Sequence, residues 1–516
     1  MFLSILRASF AGLGALALFA GAPAAAQEKS KGLPDFDSMN GEQAFAAFRN
    51  GGDRWIDEPC DFGVPLFVAM QRAQPDNMPV SRLLLTAAAL CADNEERYED
   101  GADLIRQLNA LEEGKHAVWL SLYFARRTDD AEWILELLSE LSPDQLGTLD
   151  TDSFWPSMRT VRQAGRADEL DAQALKWFEE NRIGFLDGDL HAGVARYALA
   201  AAARDGRTEM AGQLLSYITD PSTYVDLITS REFEPVWGEI EARAGENLTV
   251  VGADNVAITR RRLTNAPSDR DRFSAAARAL YYNGDFAEAV ELAQSWRDRE
   301  ERGLELEEGD AWALNIQAYA YDSLSQTESA DAVFEELAAI DAEENHWVVN
   351  FVINRASRLV GYGRWEEGLA ATQYARTVPG SPFAEMIVAK DQSCALNRLG
   401  REEEALAELT FMRENAEESV HLLATALLCN GLRDEAAAAM LDGLRDPATR
   451  DGAVAGLLGP EADLFYTQSM LPQPRDLMAD YPELAEEFAR HARDLPEALI
   501  PRAAQLRADL DLPEWE

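Results

Sequence analysis

The stretch RALYYNGDFAEAVELAQSW, Arg278 to Trp296, sets an apolar run at helical spacing on either side of an Asn-Gly-Asp break. Before Gly284, the residues Phe273, Ala276, Ala277 and Leu280 share one helical face; after it, Phe286, Ala289 and Ala293 share another. Asn283 and Gly284 leave the helical region at low cost, and Asp285 suits the positive start of a following helix. The stretch is a helical hairpin. A hairpin of this size cannot bury its apolar face alone, so it must stack on others like itself.

The layout recurs. Around Gly363, Val352, Ala356 and Leu359 precede Trp365, Gly368 and Ala375. Around Gly400, Ala389, Ser393 and Leu396 precede Ala405, Leu409 and Met412, and around Gly431, Val420, Ala424 and Leu427 precede Ala436 and Met440. A copy without Gly places Leu314, Ala318 and Tyr321 before Ser325, with Ala330, Phe334 and Leu337 after it. The small residue opening each second helix falls at 289, 330, 368, 405 and 436, in steps of 41, 38, 37 and 31. Those steps bracket the ~34-residue period of tetratricopeptide repeats.

From Asp269 to about Pro447 the chain therefore resembles the tetratricopeptide-repeat family, and around Gly206, from Ala195 to Asp220, it does so less closely. It departs from that family in its uneven spacing, in lacking most of the Pro residues after the second helix, and in Ala-rich equivalents of the Trp-Leu-Gly signature. The resemblance implies an all-α solenoid of helical hairpins that binds a protein or peptide. It also implies that the first helix of each hairpin lines a concave side. Transferred to that face alone, partner contacts fall on Arg278, Tyr281, Asn315, Tyr319, Lys390, Asn397 and His421.

Around this array the chain divides by pattern. Residues 1–26 read as a secretory signal: Arg7 opens it, Ala8 to Ala20 carries no charge, and Ala24-Ala25-Ala26 precedes Gln27 as a cleavage site. Residues 27–246 read as an N-terminal helical array, with a hairpin about Gly165. Residues 247–267 open with a β-rich run, NLTVVGADNV, and read as a connecting segment with one short helix. Residues 268–446 hold the repeats. Residues 447–516, punctuated by Pro at 460, 472, 474, 482, 496, 501 and 513, read as short helices capping the array.

Charge and address narrow the function. Without Arg7, 46 basic residues face 91 acidic ones, a balance of −45, which repels nucleic acid and anionic lipid. No segment after the signal approaches ~18 uncharged apolar residues, so no membrane span is expected in the mature chain. The signal, the Arg bias and the Ala content fit a bacterial periplasmic or extracellular protein. In that oxidising setting four Cys residues invite disulfides. Antiparallel helices over 62–73 and 79–92, turning between Pro75 and Pro79, bring Cys60 and Cys91 together at their open ends. Cys394 and Cys429 lie late in neighbouring first helices but about one turn out of step relative to Gly400 and Gly431, which leaves their pairing open.

The chain carries no phosphate loop, no nucleophile elbow and no dinucleotide fingerprint. Its five His residues, at 116, 191, 346, 421 and 491, have no ligand spacing, so neither a metal nor a cofactor is expected. Acidic clusters such as Glu307-Glu308, Glu366-Glu367 and Glu402-Glu403-Glu404 fall where helices start, which the helix dipole favours. Trp133, Trp155, Trp177, Trp237, Trp296, Trp312, Trp347 and Trp365 recur with other apolar residues, as core side chains do. Arg260-Arg261-Arg262 reads as a neutraliser of nearby carboxylates. The leading reading is a non-catalytic scaffold binding a partner. The competing one is a glycan hydrolase or lyase on an α/α-toroid using paired carboxylates.

Overall fold

The computed structural model describes residues 33–516 except 112–117, 187, 298–305, 379, 466, 514 and 516, and not the side chains of Asp189 and Trp296. The signal-like residues 1–26, Glu112-Glu113 and His116 lie outside the described residues. Those described are helical, with no strand among them beyond a single bridge between Ser230 and Ala492. They form two compact units that divide in sequence between Tyr197 and Ala198.

In the first unit, helices pair through one recurring turn. After Met78–Asn94, Thr151–Gln163 and Ala167–Glu179 the chain enters the left-handed region at Glu96, Gly165 and Asn181. The next amide then reaches back to close the helix end: Arg97 N to Ala92 O (2.8 Å), Arg166 N to Val161 O (3.1 Å) and Arg182 N to Trp177 O (2.7 Å). This six-residue closure satisfies carbonyls that would otherwise be orphaned. Close approach is set by small residues: a Cβ on Gly101 would lie 2.2 Å from the Phe124 ring. Cys60 and Cys91 are disulfide-bonded, with Cα atoms 4.8 Å apart, between a π-turn at Pro59–Gly63 and the helix Met78–Asn94.

The second unit holds five stacked hairpins: α1 (Arg270–Tyr282) with α2 (Phe286–Arg297), α3 (Glu308–Ser323) with α4 (Thr327–Ala338), α5 (Val349–Gly361) with α6 (Trp365–Ala375), α7 (Pro382–Arg398) with α8 (Glu402–Glu414), and α9 (Val420–Cys429) with α10 (Arg433–Arg445). The architecture is an all-α, tetratricopeptide-like array. Each turn repeats the closure seen in the first unit: Asp285 N to Leu280 O, Gln326 N to Tyr321 O, Arg364 N to Leu359 O, Arg401 N to Leu396 O and Leu432 N to Leu427 O. The left-handed residue is Gly284, Ser325, Gly363, Gly400 or Gly431. Ala277, Ala289, Ala330, Ala405 and Ala436 are fully buried where helices meet.

Residues 247–267 differ from the sequence reading. Asn247 and Leu248 adopt positive φ and start a 17-residue helix, Thr249–Asn265, that stacks on α1. The β-propensity of Thr249, Val250 and Val251 is overridden by packing: Val251 and Gly252 are buried, and a Cβ on Gly252 would lie 2.4 Å from Asn283 Oδ1. A helix stacked on the next is not a linker, and the boundary between units falls earlier, inside the helix Gly188–Arg204.

The Pro-rich tail also differs. One part caps the array as expected: α11 (Pro482–His491) packs Leu484 and Phe488 against Leu427, Met440 and Leu444 of the last hairpin. The remainder runs back along the hairpins as two irregular passes.

A face of the array occupied by the chain itself

Tyr281 and Tyr282 close the last turn of α1, and Tyr319 stands one turn before the end of α3. Helical spacing and the stacking of α1 on α3 bring their rings together. Phe465 lies among them, stacked on Tyr281 (ring centroids 6.1 Å apart) and edge-on to Tyr282 (5.0 Å) and Tyr319 (5.9 Å). Burial pushes the phenol pKa values of all three tyrosines up, so they remain neutral hydrogen-bonding rings rather than charges.

From Phe465 the first pass runs across successive hairpins. Met470 N donates to Gly361 O at the end of α5 (2.9 Å). A Cβ on Gly363 would sit 2.8 Å from Met470 Sδ, so the turn and the pass touch directly. Leu471 packs with Val360 and the Cys394–Cys429 disulfide. After α11 the second pass returns. Arg493 N bonds Thr229 O (2.8 Å), its guanidinium reaches Glu241 (2.6 Å), and it lies over the Trp237 ring at 3.5 Å. Asn247 Nδ2 donates to Ile500 O (3.0 Å), Arg502 to Asn283 O (2.6 Å) and Asp285 (2.9 Å), and Ala508 N to Ser323 O (3.0 Å). Arg507 then ties the passes to each other by donating to Asp463 O (2.8 Å) and Leu464 O (2.5 Å).

The strap reaches two of the residues that the repeat pattern assigned to a partner, Tyr281 and Tyr319. Tyr281 and Tyr319 meet, around Phe465. Asn315 is buried and accepts from Asn354 Nδ2 (3.1 Å), and Asn397 donates to Cys429 O (2.6 Å), so both amides join neighbouring hairpins. Lys390 is 9% exposed and pairs with buried Asp391 (2.5 Å). His421 is half-buried beside the Ser419 hydroxyl (3.1 Å); burial, then the Lys390 charge, lowers its pKa to about 4. Arg278 remains exposed. Of the residues assigned to a partner, Tyr281 and Tyr319 are therefore engaged by the strap, and Asn315, Asn397 and Lys390 by other residues of the array. Phe465, Arg502 and Arg507 carried no periodic signal, because they belong to an irregular segment whose contacts lie up to 265 residues away in sequence.

Other candidate chemistry is dispersed. Glu307 and Asp310 form a capping box, Glu367 pairs with Arg364 (2.6 Å), and Glu404 pairs with Arg401 (2.6 Å), each at its own helix start. Cys60, Cys91 and Glu95 approach one another, but both sulfurs are committed to the disulfide. The seven tryptophans of the periodic set whose side chains are described are buried or half-buried. Arg260 pairs with Glu288.

No protein-family model matches the chain, and no curated protein is similar to it. Among solved structures it is similar to one described as "Crystal structure of APC/C hetero-tetramer Cut9-Hcn1", at 11% identity and a TM-score of 0.26, over 87% of this chain and 94% of that one.

Proposed function

We propose that this protein is an exported, non-catalytic helical-repeat scaffold of the bacterial envelope that binds a protein or peptide partner. One observation carries the reading: the array already holds polypeptide at the C-terminal ends of its first helices, taking Phe465 between tyrosines and Met470 N on the Gly361 carbonyl. Peptide recognition of this kind uses main-chain bonds for grip and side-chain pockets for choice. Export is supported by the signal-like residues 1–26 and by two disulfides, which suit an oxidising compartment.

Two measurements test it. The intact mass of the protein from the native envelope should start at Gln27; a species retaining Arg7 contradicts export. A photo-crosslinking residue at exposed Arg278 should give a discrete protein adduct in cells. Absence of an adduct from Arg278 and other exposed positions, together with release of reducing sugar from envelope glycan by the purified protein, would reverse the choice in favour of a hydrolase.

A further inference from the structure

We infer that the face under the strap is the partner's docking site and that the first pass, Asp463 to Pro474, is its resident competitor. The inference rests on the scaffold reading above and adds the place, the ligand chemistry and the regulation. The occupant it fits is an extended segment with an aromatic side chain for the tyrosine cage, followed five and six residues on by flexible apolar ones, as Phe465 is followed by Met470 and Leu471.

Three observations support competition rather than a permanent core. The face is built by the array alone: Tyr281, Tyr282 and Tyr319 come from α1 and α3, and the Gly361 carbonyl from the end of α5. Its contacts with the first pass are those an independent peptide can make, namely a ring cage, a main-chain bond and an apolar seat at Val360 and Leu471. Thirdly, the Arg507 clamp grips carbonyls of the strap itself, Asp463 O and Leu464 O, so one pass holds the other down. A tethered segment competes at an effective concentration in roughly the millimolar range, enough to suppress weaker partners.

The test uses the full-length protein and a fluorescein-labelled synthetic peptide spanning Glu461 to Pro474. The Phe465→Ala protein, whose own strap no longer fills the tyrosine cage, should bind this peptide at least tenfold tighter than the wild-type protein does. A peptide carrying the same Phe465→Ala change should not bind. If Phe465→Ala disturbs folding, as read by far-ultraviolet circular dichroism, Leu471→Asp decides with the same probe, because it loosens the first pass at Val360 and leaves both Phe465 and the tyrosine cage intact; binding above wild type supports the inference. Equal binding by wild type and a folded variant, or none by either, overturns it. A strap-exchanged dimer of doubled mass would also overturn it, assigning the face to a second copy. An Arg278 adduct that persists when the peptide fails to bind would leave the scaffold reading standing and refute only this site.

Discussion

Arg358 and Asp322 form a two-pronged ion pair with both side chains withdrawn from solvent: Nε to Oδ2 at 2.6 Å and Nη2 to Oδ1 at 2.8 Å. The guanidinium spends its other donors on Asp331 and on Thr327 O (3.2 Å) and lies over the Tyr362 ring at 4.6 Å. It thereby ties α5 to both helices of the preceding hairpin. Removing one partner leaves the other buried and uncompensated, so Arg358→Met should lower stability to chemical denaturation by about 3–5 kcal/mol. Adding Asp322→Leu to that variant should recover part of the loss. A double variant less stable than the single one would show that the pair is not a coupled unit.

Ser325 occupies the same left-handed turn position as Gly284, Gly363, Gly400 and Gly431, with φ of 58°. A side chain there costs roughly 1–2 kcal/mol, partly offset by the greater freedom of an unfolded glycine. Ser325→Gly should therefore raise stability by about 0.5–1 kcal/mol in urea unfolding, while Gly400→Val at the equivalent turn should lower it. A destabilised Ser325→Gly protein would mean that the hydroxyl contributes more than the backbone.

The same turns show what the sequence could disclose. Four glycines at regular offsets gave away the hairpins, and Ser325 was found by its place between two periodic runs. Glu96 and Asn181 make the identical closure with no glycine to mark it, since a polar residue in that conformation leaves only a weak local trace. The pattern also placed Tyr281 and Tyr319 one hairpin apart, and the two rings do meet. Their occupant was not legible. Phe465 and Arg507 act through an irregular segment, and the register of such a segment is set by distant side chains rather than by any period of its own. Helix 249–265 was obscured for the opposite reason, because its local β-propensity points away from the conformation that packing imposes.

His421 makes stability depend on pH. Burial and the charge of Lys390 outweigh a backbone hydrogen bond at Gly452 and lower its pKa from 6.5 to about 4. Since the folded value lies below the unfolded one, the contribution of the neutral ring is complete above pH 6.5 and is lost as pH falls from there toward 4. The loss between pH 7 and pH 5 should be about 2 kcal/mol. His421→Gln should flatten the denaturation midpoint across that interval. An unchanged slope in the variant would place the pH dependence elsewhere.

Cys394 and Cys429 differ by about a turn in their distance from the turn glycines that follow their helices, yet they are bonded with Cα atoms 5.2 Å apart. The stagger between α7 and α9 explains it, because Ser393 with Asn430 (2.9 Å) and Asn397 with Cys429 O (2.6 Å) link the same two helices on either side of the bond. The loop it closes spans 35 residues, and that of Cys60–Cys91 spans 31. In the chain-entropy account each constrains the unfolded chain by about 3–4 kcal/mol, so their energies are alike and their accessibilities differ. Cys394 and Cys429 are 0% and 2% exposed, whereas Cys60 and Cys91 are half-buried. Denatured, unreduced protein should present no free thiol. Under mild reductant the native protein should lose Cys60–Cys91 first, followed by alkylation and peptide mapping, and Cys394–Cys429 should open only with the unfolding of its hairpins. Early alkylation of Cys394 or Cys429 in otherwise native protein would contradict that order and show that the strap, whose Leu471 covers the bond, opens far more readily than the hairpins beneath it.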